Sequence, residues 1–369
     1  MSPRLPAGAV LAAALAACAP SKSPSPAGDT GAPAACVDDA PGLAAPVAAG
    51  MHTDTLDVPL PTTTTPRPVP VHLWYPTAAT TGTGAVHLGL VPDADSLVGA
   101  PPTAPPAGCR RPLVVYSHGY QAWGGNATAL LRAFVARGYI AAAPDHTGNT
   151  LTDNVEPKEP TWPLSRLADI RATLDHLAAL PAGHPLAGHV DPSRVLVLGH
   201  SMGGQTAWLL SGVSFDAAAV DAACAERGCT ADERAAFDAA PGDARVVGIV
   251  PLAGDAGRLV ADASLAALPV PALYVTGTAD FDGAPMVART AGADVTWAEV
   301  EGGCHESFTS SPVACSTLPA ADAFTITATL AQAFALRVLR GQSGPGIDDV
   351  LRGEAAVHPA LTLHPPTAE

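Results

Sequence analysis

Lysine is almost missing from this chain: Lys22 and Lys158 are the only two among 369 residues, against 34 acidic residues and a formal net charge of −15. No segment carries a basic stripe, so the electrostatic footprint of a nucleic-acid binder is absent and an acidic, soluble surface is expected. No CxxC pair and no Cys/His cluster has zinc-ligand spacing, so no metal site is expected, and no motif implies a cofactor. No internal repeat is visible. The apolar run at the N-terminus, Leu5 to Ala17, is too short to span a bilayer as a mature helix.

That run follows a short, weakly positive start, Met1 to Arg4, and ends in Leu15-Ala-Ala-Cys18, so residues 1–17 read as a secretory signal. The ending resembles a bacterial lipobox, which implies lipidation of Cys18 and a tether to the cell envelope without a spanning helix. Ordinary cleavage near Ala17 is the alternative, and either route gives an exported protein. Six further cysteines remain, an even count that favours three disulfides in an exported chain. Short separations suggest Cys224 with Cys229 and Cys304 with Cys315, leaving Cys36 with Cys109.

A hydrophobic content of 48% over this length suffices for one large α/β domain or two small ones. Its most informative stretch is Arg194-Val-Leu-Val-Leu-Gly-His-Ser-Met-Gly-Gly-Gln-Thr206. An apolar strand enters Gly199-His200-Ser201-Met202-Gly203, and Gln205 to Leu210 leaves it at helical spacing. This is a nucleophile elbow in the context it requires. A serine forced onto such a turn has strained backbone angles, tolerable when the residues two before and two after it lack a Cβ. The turn also aims the first N–H groups of the next helix at the point where an oxyanion would form.

Residues 18–66, rich in Pro, Ala, Ser and Thr, read as a tether and an irregular N-terminal segment. A strand is expected from Val69 to Tyr75, then a long surface loop from 76 to 110, and a buried strand from Leu113 to Ser117. Asn126 is expected to cap a helix carrying Leu130, Leu131, Phe134 and Val135 on one face and closed by Gly138. A strand from Tyr139 to Ala143, a helix from Pro163 to Leu180 and the elbow strand follow. Residues 214–244, with Cys224 and Cys229, read as a small helical insertion. Strands at 245–252, 270–276 and 295–300 and a helix from Phe324 to Leu339, ended by Gly341, complete a single domain spanning 67–341, and 342–369 read as a loose tail. This alternation predicts an α/β fold with a doubly wound, mostly parallel sheet.

A serine hydroxyl needs an adjacent base, and the base needs a partner fixing its tautomer. In this fold the chain order is serine, acid, histidine. Only His305, His358 and His364 follow the elbow, and the last two lie in the Pro-rich tail, so His305, just beyond a strand in Glu301-Gly-Gly-Cys-His305, is the expected base. For the acid, Asp280 ends Thr276-Gly-Thr-Ala-Asp280 at a strand tip; Asp255, after the preceding strand, and Asp282 are rivals. The oxyanion donors are expected to be the N–H groups of Met202 and of Tyr120, in the loop His118-Gly-Tyr120. The rings of Tyr120, Trp123, Trp162, Phe281 and Phe308 are candidates for an acyl pocket. His118 and His200 read as structural hydrogen-bonding residues.

These residues together resemble the α/β-hydrolase superfamily from about Val69 to Gly341. Leu73-Trp-Tyr-Pro76, Ser117-His-Gly-Tyr120, Gly138-Tyr-Ile-Ala-Ala-Ala-Pro-Asp-His146, Arg166 with Asp169, and Gly199-His-Ser-Met-Gly-Gly204 look like the predicted dienelactone hydrolases and the platelet-activating-factor acetylhydrolase-like esterases. His-Gly-Tyr and Ser-Met-Gly-Gly are also similar to bacterial cutinases and polyester hydrolases, where the aromatic after the glycine donates to the oxyanion. In acetylhydrolase-like and chlorophyllase-like members the acid follows the earlier strand, which keeps Asp255 open. Dienelactone hydrolases proper use a cysteine nucleophile, so Ser201 does not carry lactone chemistry over. Arg166 and Asp169 are expected to form a helix-to-core salt bridge.

The expected function is a secreted or surface-anchored serine hydrolase of carboxylic esters, acting on a small ester, a lipid or a polyester. Acyl transfer or peptide cleavage with the same triad is a second reading. An inactive surface-binding lipoprotein is a third.

Overall fold

The computed structural model describes residues 47–60, 62, 65–239, 241–310 and 317–366. All belong to one compact unit. The expected signal at 1–17, Cys18, Cys36 and Cys315 lie outside the described residues.

The chain enters the sheet earlier than its composition implies. Strand β1 (Ala49–Pro59) pairs antiparallel with β2 (Pro66–Tyr75) in unbroken register from Gly50↔Tyr75 to Pro59↔Pro66. The reading of 18–66 as wholly irregular is therefore corrected: His52, Asp54 and Leu56 alternate in the pleat although Thr and Pro surround them. The expected loop at 76–110 is corrected as well. It contains β3 (Gly84–His87) and β4 (Val91–Val98), an antiparallel pair whose second strand runs parallel to β1. Buried Asp93 interrupts β4's apolar pattern because Arg132, Ser96 and Thr128 all bind its carboxylate.

Next come β5 (Arg111–Ser117), α1 (Thr128–Val135), β6 (Ile140–Pro144), α2 (Trp162–Ala178), β7 (Val190–His200) and α3 (Met202–Leu210). Asn126 does not cap α1. It sits in a 3₁₀ turn, and its side-chain oxygen accepts from the buried Tyr116 hydroxyl at 2.6 Å, so satisfying a core phenol overrides the cap. Residues 214–244 form α4 (Ala217–Arg227), begun by an Asp216 cap and ended by Gly228, and α5 (Ala231–Ala235), opened by a Thr230/Glu233 capping box. The remaining elements are β8 (Val246–Leu252), α6 (Asp262–Ala266), β9 (Ala272–Gly277), α7 (Ala284–Arg289), β10 (Val295–Val300), α8 (Ala320–Arg340), α9 (Pro345–Arg352) and β11 (Leu361–His364). Helix α9 and strand β11 correct the loose-tail reading: β11 pairs antiparallel with β10, and Trp297 stacks on His364 at 4.3 Å between centroids.

Among the described residues the strand order is β11-β10-β9-β8-β7-β5-β6-β2-β1-β4-β3. From β10 through β6 the neighbours are parallel. The expected doubly wound, mostly parallel α/β sheet is the architecture found. Both faces are covered: Leu113 and Val115 of β5 pack toward α2 and α3, while Val114 and Tyr116 pack toward α1 and α8. That two-sided burial is why β5 reads as a continuous apolar run rather than an alternating one. β5 and β7 are adjacent, and their connections leave on opposite sides of the sheet. Such a switch point opens a crevice at the carboxyl ends of the two strands.

Candidate active site

Ser201 stands at that crevice, between the last residue of β7 and the first of α3. Its φ of 54° lies in the left-handed region, which costs a non-glycine residue on the order of 1–3 kcal/mol. Packing enforces the turn. A Cβ on Gly199 would lie 2.0 Å from the carbonyl oxygen of Gly203, and one on Gly203 would lie 1.8 Å from that of Ser117. Only glycine at both positions lets strand and helix approach this closely.

His305 is brought to the elbow by the loop after β10. Its Nδ1 lies 2.9 Å from Asp280 Oδ2, at the end of the loop after β9, one strand away. Asp255 is not brought to His305: it is exposed and accepts the N–H of Gly257 at 2.8 Å, an Asx turn. Asp282 likewise accepts the N–H of Ala284 at 2.9 Å. His200 donates from Nε2 to the His305 carbonyl oxygen at 2.8 Å, and the two rings pack with centroids 4.8 Å apart. Burial, followed by the nearby His305, pulls the His200 pKa down to about 4, so it donates as a neutral imidazole. Among the described residues no hydrogen bond joins the Ser201 hydroxyl to His305; such bonds often tighten only when substrate arrives.

The loop after β5 lies against the serine, since a Cβ on Gly119 would be 3.3 Å from that of Ser201. Among the described residues, the N–H groups of Tyr120 and Met202 donate to no protein acceptor. The loop is held from below. His118 Nε2 accepts the His146 N–H at 2.9 Å, which puts its proton on Nδ1 and directs it to the Gly119 carbonyl at 2.8 Å. Burial keeps His118 well below the ordinary imidazole range and neutral.

Beneath lies a constellation the sequence did not disclose. Ser117 Oγ is 2.9 Å from His146 Nε2, and His146 Nδ1 is 2.7 Å from Asp169 Oδ2. These three side chains copy a triad's connectivity, but all are fully buried, so no substrate reaches them. Arg166 does not form the expected salt bridge with Asp169. Its guanidinium donates to Thr206 Oγ1, Asn149 Oδ1, Ser117 Oγ and the His118 carbonyl, and Arg67 takes Asp169 at 2.7 Å. The physical reason is geometric: a carboxylate already shared by Arg67 and His146 leaves Arg166 free to tie the loop after β5 to α2. Burial raises the Asp169 pKa to about 6 and lowers that of Arg166 to about 9.

Among the described residues two side-chain groups have metal-like spacing. His200, His305 and Glu306 lie together at the elbow, but His200 Nε2 is committed to a carbonyl. His52 and Asp54 of β1 lie together with His184 from the segment after α2, yet the Leu186 N–H donates to His184 Nδ1, so its Nε2 keeps the proton and donates to Asp54 at 3.2 Å. A protonated nitrogen offers no lone pair to a cation.

A cavity of about 210 Å³ lies beside Met202, walled by Trp162, Leu209, Val220, Phe237 and Leu259. Of the five aromatic rings expected there, only Trp162 lines it. Phe308 is buried in the core beside α8, and Phe281 packs against both core faces, while Trp123 is half-buried without lining this cavity. Tyr120 is turned outward: its hydroxyl donates to Glu156 at 2.6 Å, and Lys158 lies between its ring and that of Trp162, 5.5 and 5.1 Å from the centroids. A Cys224–Cys229 disulfide closes the end of α4. Cys109 and Cys304 are also disulfide-bonded, and the partners expected for them lie outside the described residues.

No protein-family model matches the sequence, and no curated protein matches it. Among solved structures the chain is similar to the ferulic acid esterase from Streptomyces cinnamoneus, with a TM-score of 0.60 and 23% identity over 88% of this chain and 98% of that one. At that identity the likeness is one of fold, and the fold is of the α/β-hydrolase type.

Proposed function

We propose that this chain hydrolyses carboxylic esters through an acyl-serine at Ser201. The observation that carries the reading is the His305–Asp280 pair, tied through His200 to the strained turn that presents Ser201. In the forward half-reaction Ser201 Oγ attacks the ester carbonyl while His305 Nε2 takes its proton. Asp280 holds Nδ1–H and offsets the imidazolium charge. The oxyanion accepts from the N–H groups of Tyr120 and Met202, fixed dipoles that need no reorganisation as charge develops. His305 then gives its proton to the departing alcohol, and water repeats the sequence to release the acid. The ferulic acid esterase shares this chain's fold, which makes ester cleavage the first chemistry to test.

Export follows from the N-terminal sequence, with Cys18 as the proposed lipid anchor; Cys18→Ala should then release the protein from the envelope fraction. For the reaction itself, p-nitrophenyl esters from acetate to palmitate are offered to the wild type and to Ser201→Ala. Turnover confined to the wild type supports the mechanism, and turnover retained by the variant contradicts it.

A further inference from the structure

The cavity beside Met202 has a charge pattern opposite to that of the chain. The molecule carries 34 acidic and 19 basic residues, yet among the described residues no Asp or Glu lines this cavity, while Lys158, Arg166, Arg227 and Arg258 do. Two of these are already satisfied. Lys158 donates to Gly148, Asn154 and Val155, and Arg166 is fully buried and bound to the oxyanion loop. The other two stand at the solvent end. Arg227 is exposed and makes no hydrogen bond or ion pair among the described residues. Arg258 is largely exposed and, among the described residues, meets only Glu226, loosely, at 3.9 Å.

We propose that this cavity binds the acyl half of an ester whose chain is apolar for several atoms and ends in an anion such as a carboxylate. The inference rests on the esterase reading of the same site. Between Met202, whose N–H faces the reacting carbonyl in that reading, and the two arginines, Trp162, Leu209, Val220 and Phe237 supply apolar wall, with Gln205 and Thr206 as neutral polar neighbours. An apolar chain buries surface against these side chains, and its charged end emerges where two guanidiniums stand. The 214–244 segment gains a purpose from this. Helix α4 supplies Val220 and Arg227 to the wall, and Arg227 lies within the loop closed by the Cys224–Cys229 disulfide, so its main chain is held in place before substrate arrives.

The test compares p-nitrophenyl hemiadipate with its neutral isostere, p-nitrophenyl methyl adipate. In the wild type the charged-to-neutral ratio of kcat/KM should fall as salt is raised, because the guanidiniums are solvent-exposed and screened. In Arg227→Glu/Arg258→Glu the ratio should fall about tenfold at low salt, and in the double Gln variant by less. A ratio unmoved by salt and by both variants overturns the inference while leaving ester hydrolysis standing. If neither ester is turned over, the esterase reading fails by itself. The cavity is then probed by calorimetric titration of Ser201→Ala with monomethyl adipate. Binding that disappears in the arginine variants sustains the anion site, and no binding overturns it too.

Discussion

His200 donates to the carbonyl oxygen of His305 at 2.8 Å, joining residues 105 positions apart. The residue before the elbow serine therefore fixes the main chain of the loop that supplies the base, and Asp280 fixes its ring. One imidazole nitrogen is thus committed to the carboxylate, and Nε2 stays without a protein partner among the described residues. That is the state a general base needs.

Asp280 and Asp255 make opposite predictions. Asp280→Asn should lower kcat by a factor of about 10³ to 10⁴ with KM little changed, because an amide supports the wrong histidine tautomer. Asp255→Asn should stay within about twofold, since it removes only a turn contact on an exposed loop. Steady-state kinetics on p-nitrophenyl acetate separate the two, and a reversed pattern would move the acid to the earlier strand.

The buried Ser117–His146–Asp169 set should behave as structure. Ser117→Ala leaves the Arg166 guanidinium and His146 Nε2 each short of one partner, which should lower stability by about 1–3 kcal/mol in urea unfolding. Stoichiometric phosphonate labelling of the folded variant should persist. Loss of labelling at Ser201 with stability unchanged would mean that this set acts in the chemistry.

The elbow, the central strands and His305 were legible in the sequence because each carries a local signature: a glycine spacing forced by close approach, an apolar run, a histidine just beyond a strand. Strands β3, β4 and β11 were not legible. They lie at or near the sheet edges, where one exposed face and polar content such as Asp93 erase the alternation, and long-range pairing decides them. Asp280 and Asp255 sit at equivalent strand tips and share one local pattern, so only the fold separates them. The roles of Arg166, Asp169 and Asn126 were misread for a similar reason. Each satisfies a buried partner contributed by a distant segment, which no spacing rule records.

Acid should destabilise the protein along a stated window. Burial holds His200 at about 4, against an ordinary value of 6.5, so between these pH values the unfolded chain binds a proton that the folded chain excludes. Its contribution is complete above pH 6.5 and is lost as pH falls toward 4, by about 3 kcal/mol. His118 and His146, buried and also held low, act with the same sign, whereas Asp169, raised to about 6, opposes them. Urea unfolding across this range should show net stability rising with pH, with a shallower slope in His200→Gln. A slope unchanged by that substitution would show that His200 titrates normally.

In the proposed mechanism Ser201 is activated by His305. Treatment of the folded protein with a fluorophosphonate, followed by peptide mapping, tests it most directly. One modified residue, Ser201, is expected, with labelling that becomes very slow in His305→Ala. Modification elsewhere, or labelling of Ser201 at the wild-type rate without His305, would contradict it.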